Sequence, residues 1–413
     1  MASIVAAAGM WFYVDCVLVR FQAADAAAHN RPRGNLSDLY PRWLGTRELL
    51  LHHRNPYSEE ITKEIQQGYY GRVLDSSRPN DPKDQQAFAY PLYVVFPLAP
   101  LIGLPFDAAR IFFHWLLVAL TAVSVWWWLR ALRWRLMVTG IAICLALTLG
   151  SFPAVQGIKL QQLSLLVAAL VAASAAFAAG GYLAWAGILL AFATIKPQVA
   201  WLFVAWMLLW SASDWAGRRR FVFAFALTMA LLLAGAEVVL PGWLWMFVHA
   251  VGEYHRYTRN QSLLDLLAPW GFAGKILAGA AIILSARLLW NVRRSPANSM
   301  QFGRAIALVA ALTVLVVPMS ALYNQVLLLP VILVLLRDYN MLTAARPATR
   351  PVFFLAASCL LWPWMASFVL TAAYLSLWPT WAVAHWQLVF YATFTLPLCT
   401  FVLALLPMRR EYC

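Results

Sequence analysis

Apolar residues run almost unbroken along most of this chain, in stretches of about 20 residues separated by short polar clusters, the length needed to cross ~30 Å of hydrocarbon as a helix. The stretches are continuous rather than alternating, and backbone groups in hydrocarbon must be satisfied internally, so they predict helices and not barrel strands. The spans so predicted are 3–22, 107–129, 136–152, 161–179, 181–195, 197–213, 219–240, 265–291, 302–319, 321–336, 351–377 and 382–407. The expected fold is an all-α polytopic membrane protein of about 12 transmembrane helices, residues 1–413 forming a single membrane-embedded domain. Segment 91–105 (PLYVVFPLAPLIGLP) is apolar but short and carries four prolines; it either dips in and returns, or crosses with another short segment such as 181–195 being the re-entrant one.

Two segments near the amino terminus break the pattern. Residues 1–24 lack a basic n-region and read as the first span, not a cleaved signal peptide. Segment 24–90 is the one long polar stretch. Within it, 37–53 opens on Ser37-Asp38 and then places Leu39, Trp43, Leu44, Leu50 and Leu51 at roughly helical spacing. Residues 57–72 repeat the pattern, with Ser58 as N-cap ahead of Glu59 and Glu60. Amphipathic helices beside a span are expected to lie in the membrane interface. Residues 73–89 form a Ser/Pro/Asn/Asp-rich loop.

Composition agrees: 63% of the 413 residues are hydrophobic and only 12% charged, too little charge to cover a soluble surface. The net charge of +14 does not point to nucleic acid, because Lys and Arg fall in clusters between spans. The clusters are Arg130/Arg133/Arg135, Arg218/Arg219/Arg220, Arg293/Arg294/Arg304, Arg337/Arg346/Arg350 and Arg409/Arg410. Neighbouring clusters enclose even numbers of predicted spans, so one orientation puts all five in the cytoplasm, facing anionic lipid. The 24–90 loop then lies outside. The five cysteines (Cys16, Cys144, Cys359, Cys399, Cys413) show no paired spacing, which argues against a disulfide framework or a zinc site.

That orientation gathers the unusual polar residues on the side of the 24–90 loop. They are Gln161, Gln162 and Ser164; Lys196, Pro197 and Gln198; Arg256, Arg259, Asn260, Gln261 and Ser262; and Pro318, Ser320, Tyr323, Asn324 and Gln325. An ionisable residue within an apolar run, such as Lys196, is expensive and points to an anionic partner. Each also has a plainer reading. Lys196 could snorkel to the interface, Gln161 and Gln162 could join helices, and Tyr323 could belong to an aromatic belt. Asp15 and Arg20 read as a structural ion pair in the first span. His52 and His53 are adjacent and do not share a helix face, so they are not a metal pair. Asn35 and Asn260 match the N-glycosylation pattern, a match common by chance.

No phosphate-binding Gly-rich loop, dinucleotide fingerprint, His-Glu-x-x-His or Gly-x-Ser-x-Gly occurs, and 24–90 has no Asp-x-Asp pair, so neither a metal nor another cofactor is implied.

The order of several short motifs resembles glycosyltransferase family 87, the mannosyltransferase-like membrane enzymes of the GT-C fold class. They are Asp38-Leu-Tyr40, Arg47-Glu-Leu-Leu, Asn55-Pro-Tyr57, Phe88-Ala-Tyr90-Pro91 with Pro97 and Pro100, Gln162-Leu-Ser164, Lys196-Pro-Gln198, Asn260-Gln-Ser262, and Pro318 through Pro330. The resemblance spans roughly 35–335 and implies a GT-C-like bundle. It also implies transfer of a sugar from a polyprenyl-phosphate donor to a lipid or glycan acceptor, outside the cytoplasmic membrane of a prokaryote. Asp38 would be the general base of an inverting reaction, with a helix N-cap as its plainer role. Lys196, Arg256, Arg259, Gln198, Asn260 and Gln261 would hold the donor phosphate. Tyr40, Tyr57, Tyr90, Gln161, Gln162, Tyr323, Asn324 and Gln325 would line the substrate cavity. Relatives often carry histidine after the Pro318 position, where this chain has Tyr323 and Asn324. A lipid or solute transporter is the competing expectation; it would place charged sites at the midplane, usually with internal repeats, and none is evident.

Overall fold

The computed structural model describes residues 1–32, 34, 37–75, 77–78, 80–258, 261–268, 270, 272–318, 320–345 and 347–408. Among these every regular element is helical. Seven helices are long and apolar enough to cross a membrane: Ala2–Ala28, Phe106–Ala131, Trp215–Val239, Ala273–Val292, Leu322–Ala344, Pro347–Leu375 and Trp386–Leu406. An eighth is possible if the pair Val138–Leu149 and Phe152–Lys159, bent by 55°, counts as one span. By length and composition this is fewer than the expected twelve. The difference lies in Leu163–Ala179, Leu183–Ala193, Pro197–Ala212 and Met300–Val316, which are apolar but only 10–17 residues long.

Those short helices form the centre of the bundle. Every residue from Phe302 to Leu315 is buried, so protein surrounds the Met300–Val316 helix on all its faces. Leu163–Ala179 buries seven alanines, whose small side chains let the Phe106–Ala131 and Leu183–Ala193 helices approach closely. Leu183–Ala193 also packs on Trp215–Val239, and a Cβ at Gly187 would run into the Phe221 carbonyl there.

Both helices expected in the 24–90 loop are present, as Tyr40–His52 and Glu59–Tyr70. Ser58 caps the second, its side chain accepting from the Ile61 amide at 3.2 Å. Residues Leu92–Leu101 make a short broken helix that packs under Tyr40–His52, with the Trp43 indole donating to the Leu101 carbonyl at 3.1 Å. Ten residues at about 1.5 Å each are too few to cross the hydrocarbon.

The bend after Leu149 positions the site. Pro153 cannot continue the preceding helix, and the Ser151 hydroxyl caps the new one at Ala154. Phe152–Lys159 therefore runs off sideways and delivers the turn 160–162 to the start of the Tyr40 helix, where the Asp38 amide donates to the Leu160 carbonyl at 2.8 Å.

The expected Asp15–Arg20 pair is not formed. Asp15 pairs instead with Lys159 at 2.7 Å, while Arg20 lies 5.3 Å over the Tyr374 ring. Residues Tyr13–Leu18 form a π-helical stretch, and Lys159, at the end of the Phe152–Lys159 helix, borders the same cavity as Asp15.

Part of the basic clusters proves to be structural. Arg218 is buried and donates to the carbonyls of Trp210, Arg293, Arg294 and Ser295 at 2.6–3.0 Å. Arg304 pairs with buried Asp338 at 2.8 Å, and Arg337 donates to the Leu132 carbonyl at 2.7 Å. These groups share one end of the bundle. Lys196 marks the other end, since it starts the helix whose far terminus is beside Trp210.

Candidate active site

Asp38, one residue before Leu39 and the Tyr40–His52 helix, could have served as a cap. Among the described residues its carboxylate instead takes donors from the cavity side: the Gln162 amide, Gln86 Nε2 at 3.4 Å and the Tyr69 hydroxyl at 3.4 Å. The helix has no side-chain cap. Burial pushes the Asp38 carboxyl above the usual carboxylate range. Arg42 opposes that shift, Asp84 adds to it, and Lys196 and the Gln86 hydrogen bond oppose it.

Gln162 is the hinge of the arrangement. Its Nε2 donates to Asp38 while its Oε1 accepts from Lys196 Nζ at 3.3 Å. Lys196 is only 3% exposed, and its ammonium donates to the Ser164 hydroxyl at 2.6 Å and lies 5.0 Å over the Tyr323 ring. Ser164 in turn donates to Asn324 Oδ1 at 2.8 Å. Snorkelling is excluded for Lys196 by this burial, and the aromatic-belt reading fails for Tyr323, which is buried beneath it. Pro197 at the first helical position breaks the apolar run and leaves Lys196 at the helix mouth.

These side chains border one cavity of about 450 Å³, at whose walls stand Asp38, Tyr90, Gln162, Lys196, Gln198 and Tyr323. Four groups that the sequence reading overlooked complete it: Arg42, Asp84, Gln86 and the Tyr254–His255 pair. Arg42 donates to the Asp38 carbonyl at 2.6 Å and stacks 4.4 Å over the Tyr90 ring; its buried Nε has no hydrogen-bond partner among the described residues. Asp84 accepts from Gln86 Nε2 at 2.7 Å and from the Tyr254 hydroxyl at 2.9 Å. Gln86 holds a left-handed backbone (φ 50°), unusual for a residue with a Cβ, and this aims its amide between the two carboxylates. Neither Arg42 nor Lys196 has a carboxylate within ion-pair distance among the described residues.

Legible signals for the overlooked groups existed. Arg42 lies in the first turn of the Tyr40–His52 helix, four residues after Asp38, close enough for its guanidinium to reach back to the Asp38 backbone. Residues Trp243–Thr258 form an amphipathic helix that was not anticipated; Phe247, Val251, Tyr254 and His255 follow helical spacing and are the residues it turns to the cavity.

That same helix takes Arg256 away. One residue is about 100° of rotation, so with His255 on the cavity wall Arg256 is exposed and outside it. Gln261 is also exposed, and its backbone carbonyl accepts from the Ser320 amide at 3.0 Å. Arg259 and Asn260 lie outside the described residues, as do Asn35 and Cys413. Of the expected cavity residues, Tyr40 packs edge-on against Phe106, and Tyr57 donates its hydroxyl to the Tyr90 carbonyl at 2.7 Å, behind the wall rather than on it. Gln161 turns its amide back to the Ile158 and Lys159 carbonyls and borders a different cavity. Gln325 donates to the Thr393 carbonyl at 2.7 Å, facing a separate apolar cavity beside Trp364. Asn324 accepts from Ser164 and stands behind the cavity wall.

The site thus combines a buried carboxylate, two cations without carboxylate partners and a wall of amide, carboxylate and imidazole groups. Such a set can take a proton from a hydroxyl and stabilise a departing anion. Among the described residues no group of three or more His, Cys, Asp or Glu side chains is arranged to hold a metal ion. The family model described as glycosyltransferase family 87 matches residues 88–318. The match covers more than half the chain and includes Tyr90, Gln162, Lys196, Gln198 and Tyr254; Asp38, Arg42, Asp84 and Gln86 precede it. No curated protein and no solved structure matches the chain.

Proposed function

The chain belongs to glycosyltransferase family 87 and is a membrane glycosyltransferase, and from that premise we propose that it moves a sugar from a polyprenyl-phosphate donor to a lipid or glycan acceptor at the non-cytoplasmic face, with inversion. The sugar is mannose or another hexose or pentose. We read residues 1–413 as one membrane-embedded domain of the GT-C type, with Tyr40–His52 and Glu59–Tyr70 lying in the interface.

The observation that carries this reading is the bridge from Asp38 through Gln162 to Lys196, which sets a base and a cation on one cavity. Asp38 accepts the proton of the acceptor hydroxyl as its oxygen attacks the anomeric carbon. The bond from that carbon to the phosphate oxygen breaks, and its electron pair leaves with polyprenyl phosphate. Lys196 and Arg42 face the departing charge, and their burial makes each attraction stronger than it would be in water. Gln198 supplies a neutral donor. This replaces the arginine side of the expected set: Arg42 stands where Arg256 was expected to act.

Purified enzyme given a polyprenyl-phosphate sugar and a lipid acceptor is expected to release polyprenyl phosphate. Asp38→Asn keeps the shape of the side chain and removes the base, so turnover should fall by about 10²–10⁴-fold with the protein still monodisperse. Full turnover in that variant would overturn the assignment of Asp38.

A further inference from the structure

A second cavity, of about 420 Å³, lies on the other side of the turn 160–162 from Asp38. Three helices build it. The first span contributes Asp15 and Gln22, Phe106–Ala131 contributes Arg110, His114 and Trp115, and Phe152–Lys159 contributes Gln156 and Lys159. Arg110 and His114 are four residues apart, so they share the face that borders the cavity. The rim is apolar and open: Ile111 is 60% and Trp115 65% exposed on the outer surface of the bundle.

The polar groups here have unspent hydrogen-bonding capacity. Among the described residues the side chains of Gln22, Gln156 and Arg110 take no partner, and His114 makes only ring contacts with Trp11 and Trp115. Gln161 Oε1 is buried and unpaired. Lys159 is neutralised by Asp15 at 2.7 Å, which leaves Arg110 as the uncompensated charge. Polar groups at an apolar, membrane-facing surface are costly unless something satisfies them. Amides and an imidazole both donate and accept, which suits hydroxyls; one free guanidinium suits one phosphate.

We propose that this cavity binds the headgroup of a membrane phospholipid carrying a single phosphate diester and free hydroxyls, as phosphatidylglycerol does. The phosphate lies on Arg110, the hydroxyls meet Gln22, Gln156 and His114, and the acyl chains run down the Ile111–Trp115 face. The site is separate from the catalytic cavity, and it stands whether or not the sugar-transfer reading does.

Native mass spectrometry of the delipidated full chain tests this, with dioleoyl phosphatidylglycerol, dioleoyl phosphatidylcholine and inorganic phosphate as the probes. The wild type is expected to retain one phosphatidylglycerol in preference to phosphatidylcholine. Arg110→Gln and Gln156→Ala should each lower that retention by about tenfold, the loss of one hydrogen bond to a charged or hydroxyl group. Leu231→Ala, on a lipid-facing surface elsewhere, should leave it unchanged. Gln22→Leu, at an exposed position, serves as a second variant if Gln156→Ala misfolds. Equal retention of the two lipids, or unchanged retention in Arg110→Gln, overturns the proposal. So does binding of inorganic phosphate without the lipid.

Discussion

Asp38 sits between charges of both signs, and its titration is the most direct reporter of the site. Because burial raises its pKa, the acidic limb of the activity profile should lie above the range of an ordinary aspartate. Asp84 adds to that shift through its negative charge. Asp84→Asn removes a charge that disfavours ionised Asp38, so the folded pKa falls and the acidic limb moves to lower pH. A kcat-versus-pH profile checks this; an unmoved limb would mean that Asp84 acts only by holding Gln86 and Tyr254. The same raised pKa means that the folded protein holds the Asp38 proton more tightly than the unfolded chain. This contribution to stability is therefore present below the unfolded pKa and lost as pH rises through the folded one. At Lys196 the expectation is on binding. Lys196→Ala removes a charge-assisted contact to phosphate and should weaken donor affinity by about 10–100-fold, read as KM for the donor. Unchanged affinity would assign Lys196 to packing against Tyr323.

At the scale of elements, the site depends on segments that are themselves short and locally determined. Glu59–Tyr70 starts at the Ser58 cap and carries Tyr69, which reaches Asp38, and Tyr70, which holds the Asp84 carbonyl at 2.8 Å. Ser58→Ala should cost about 1 kcal/mol of stability, seen as a lower Tm, with a smaller effect on kcat. The Pro153 bend and the Pro197 helix start have a comparable role. Each ends an apolar helix early, so that Gln162 and Lys196 emerge at the level of the Tyr40 helix.

On the scale of the whole molecule, the two ends of the bundle differ in chemistry. One carries Asp38, Asp84, Lys196 and Tyr254 around the cavity; the other carries Arg218, Arg304 and Arg337 in tight contact with carbonyls and Asp338. Asp338→Asn removes the buried carboxylate that accepts from both Arg304 and Arg337 and should cost about 3–5 kcal/mol, whereas replacing Arg304 and Asp338 together by apolar residues should cost less. Thermal unfolding of the single and double variants checks this. The sidedness proposed here predicts that a cysteine at Ser77 is labelled from outside intact cells and one at Asn298 only after permeabilisation. The reverse pattern would turn the enzyme over and put the cavity in the cytoplasm.

Much of this was already in the sequence. The membrane class followed from run length, because hydrocarbon thickness sets a minimum number of apolar residues. The two helices of the polar segment followed from spacing and from Ser58. Gln162, Lys196, Gln198 and Tyr323 were marked by polarity inside apolar surroundings, Asp38 and Tyr90 by the family resemblance, and the fold brings all six to one cavity. What only the tertiary structure decided is which neighbours face which. A side chain's direction depends on helix phase, and so Arg256 was lost and Tyr254 and His255 gained. Its partner depends on contacts distant in sequence, and so Asp15 found Lys159 rather than Arg20, while Gln161 and Gln162, adjacent in the chain, border different cavities. The expected twelve spans exceed the seven or eight helices that qualify by length and composition for a related reason: an apolar run signals burial, and burial inside protein looks the same in sequence as burial in lipid.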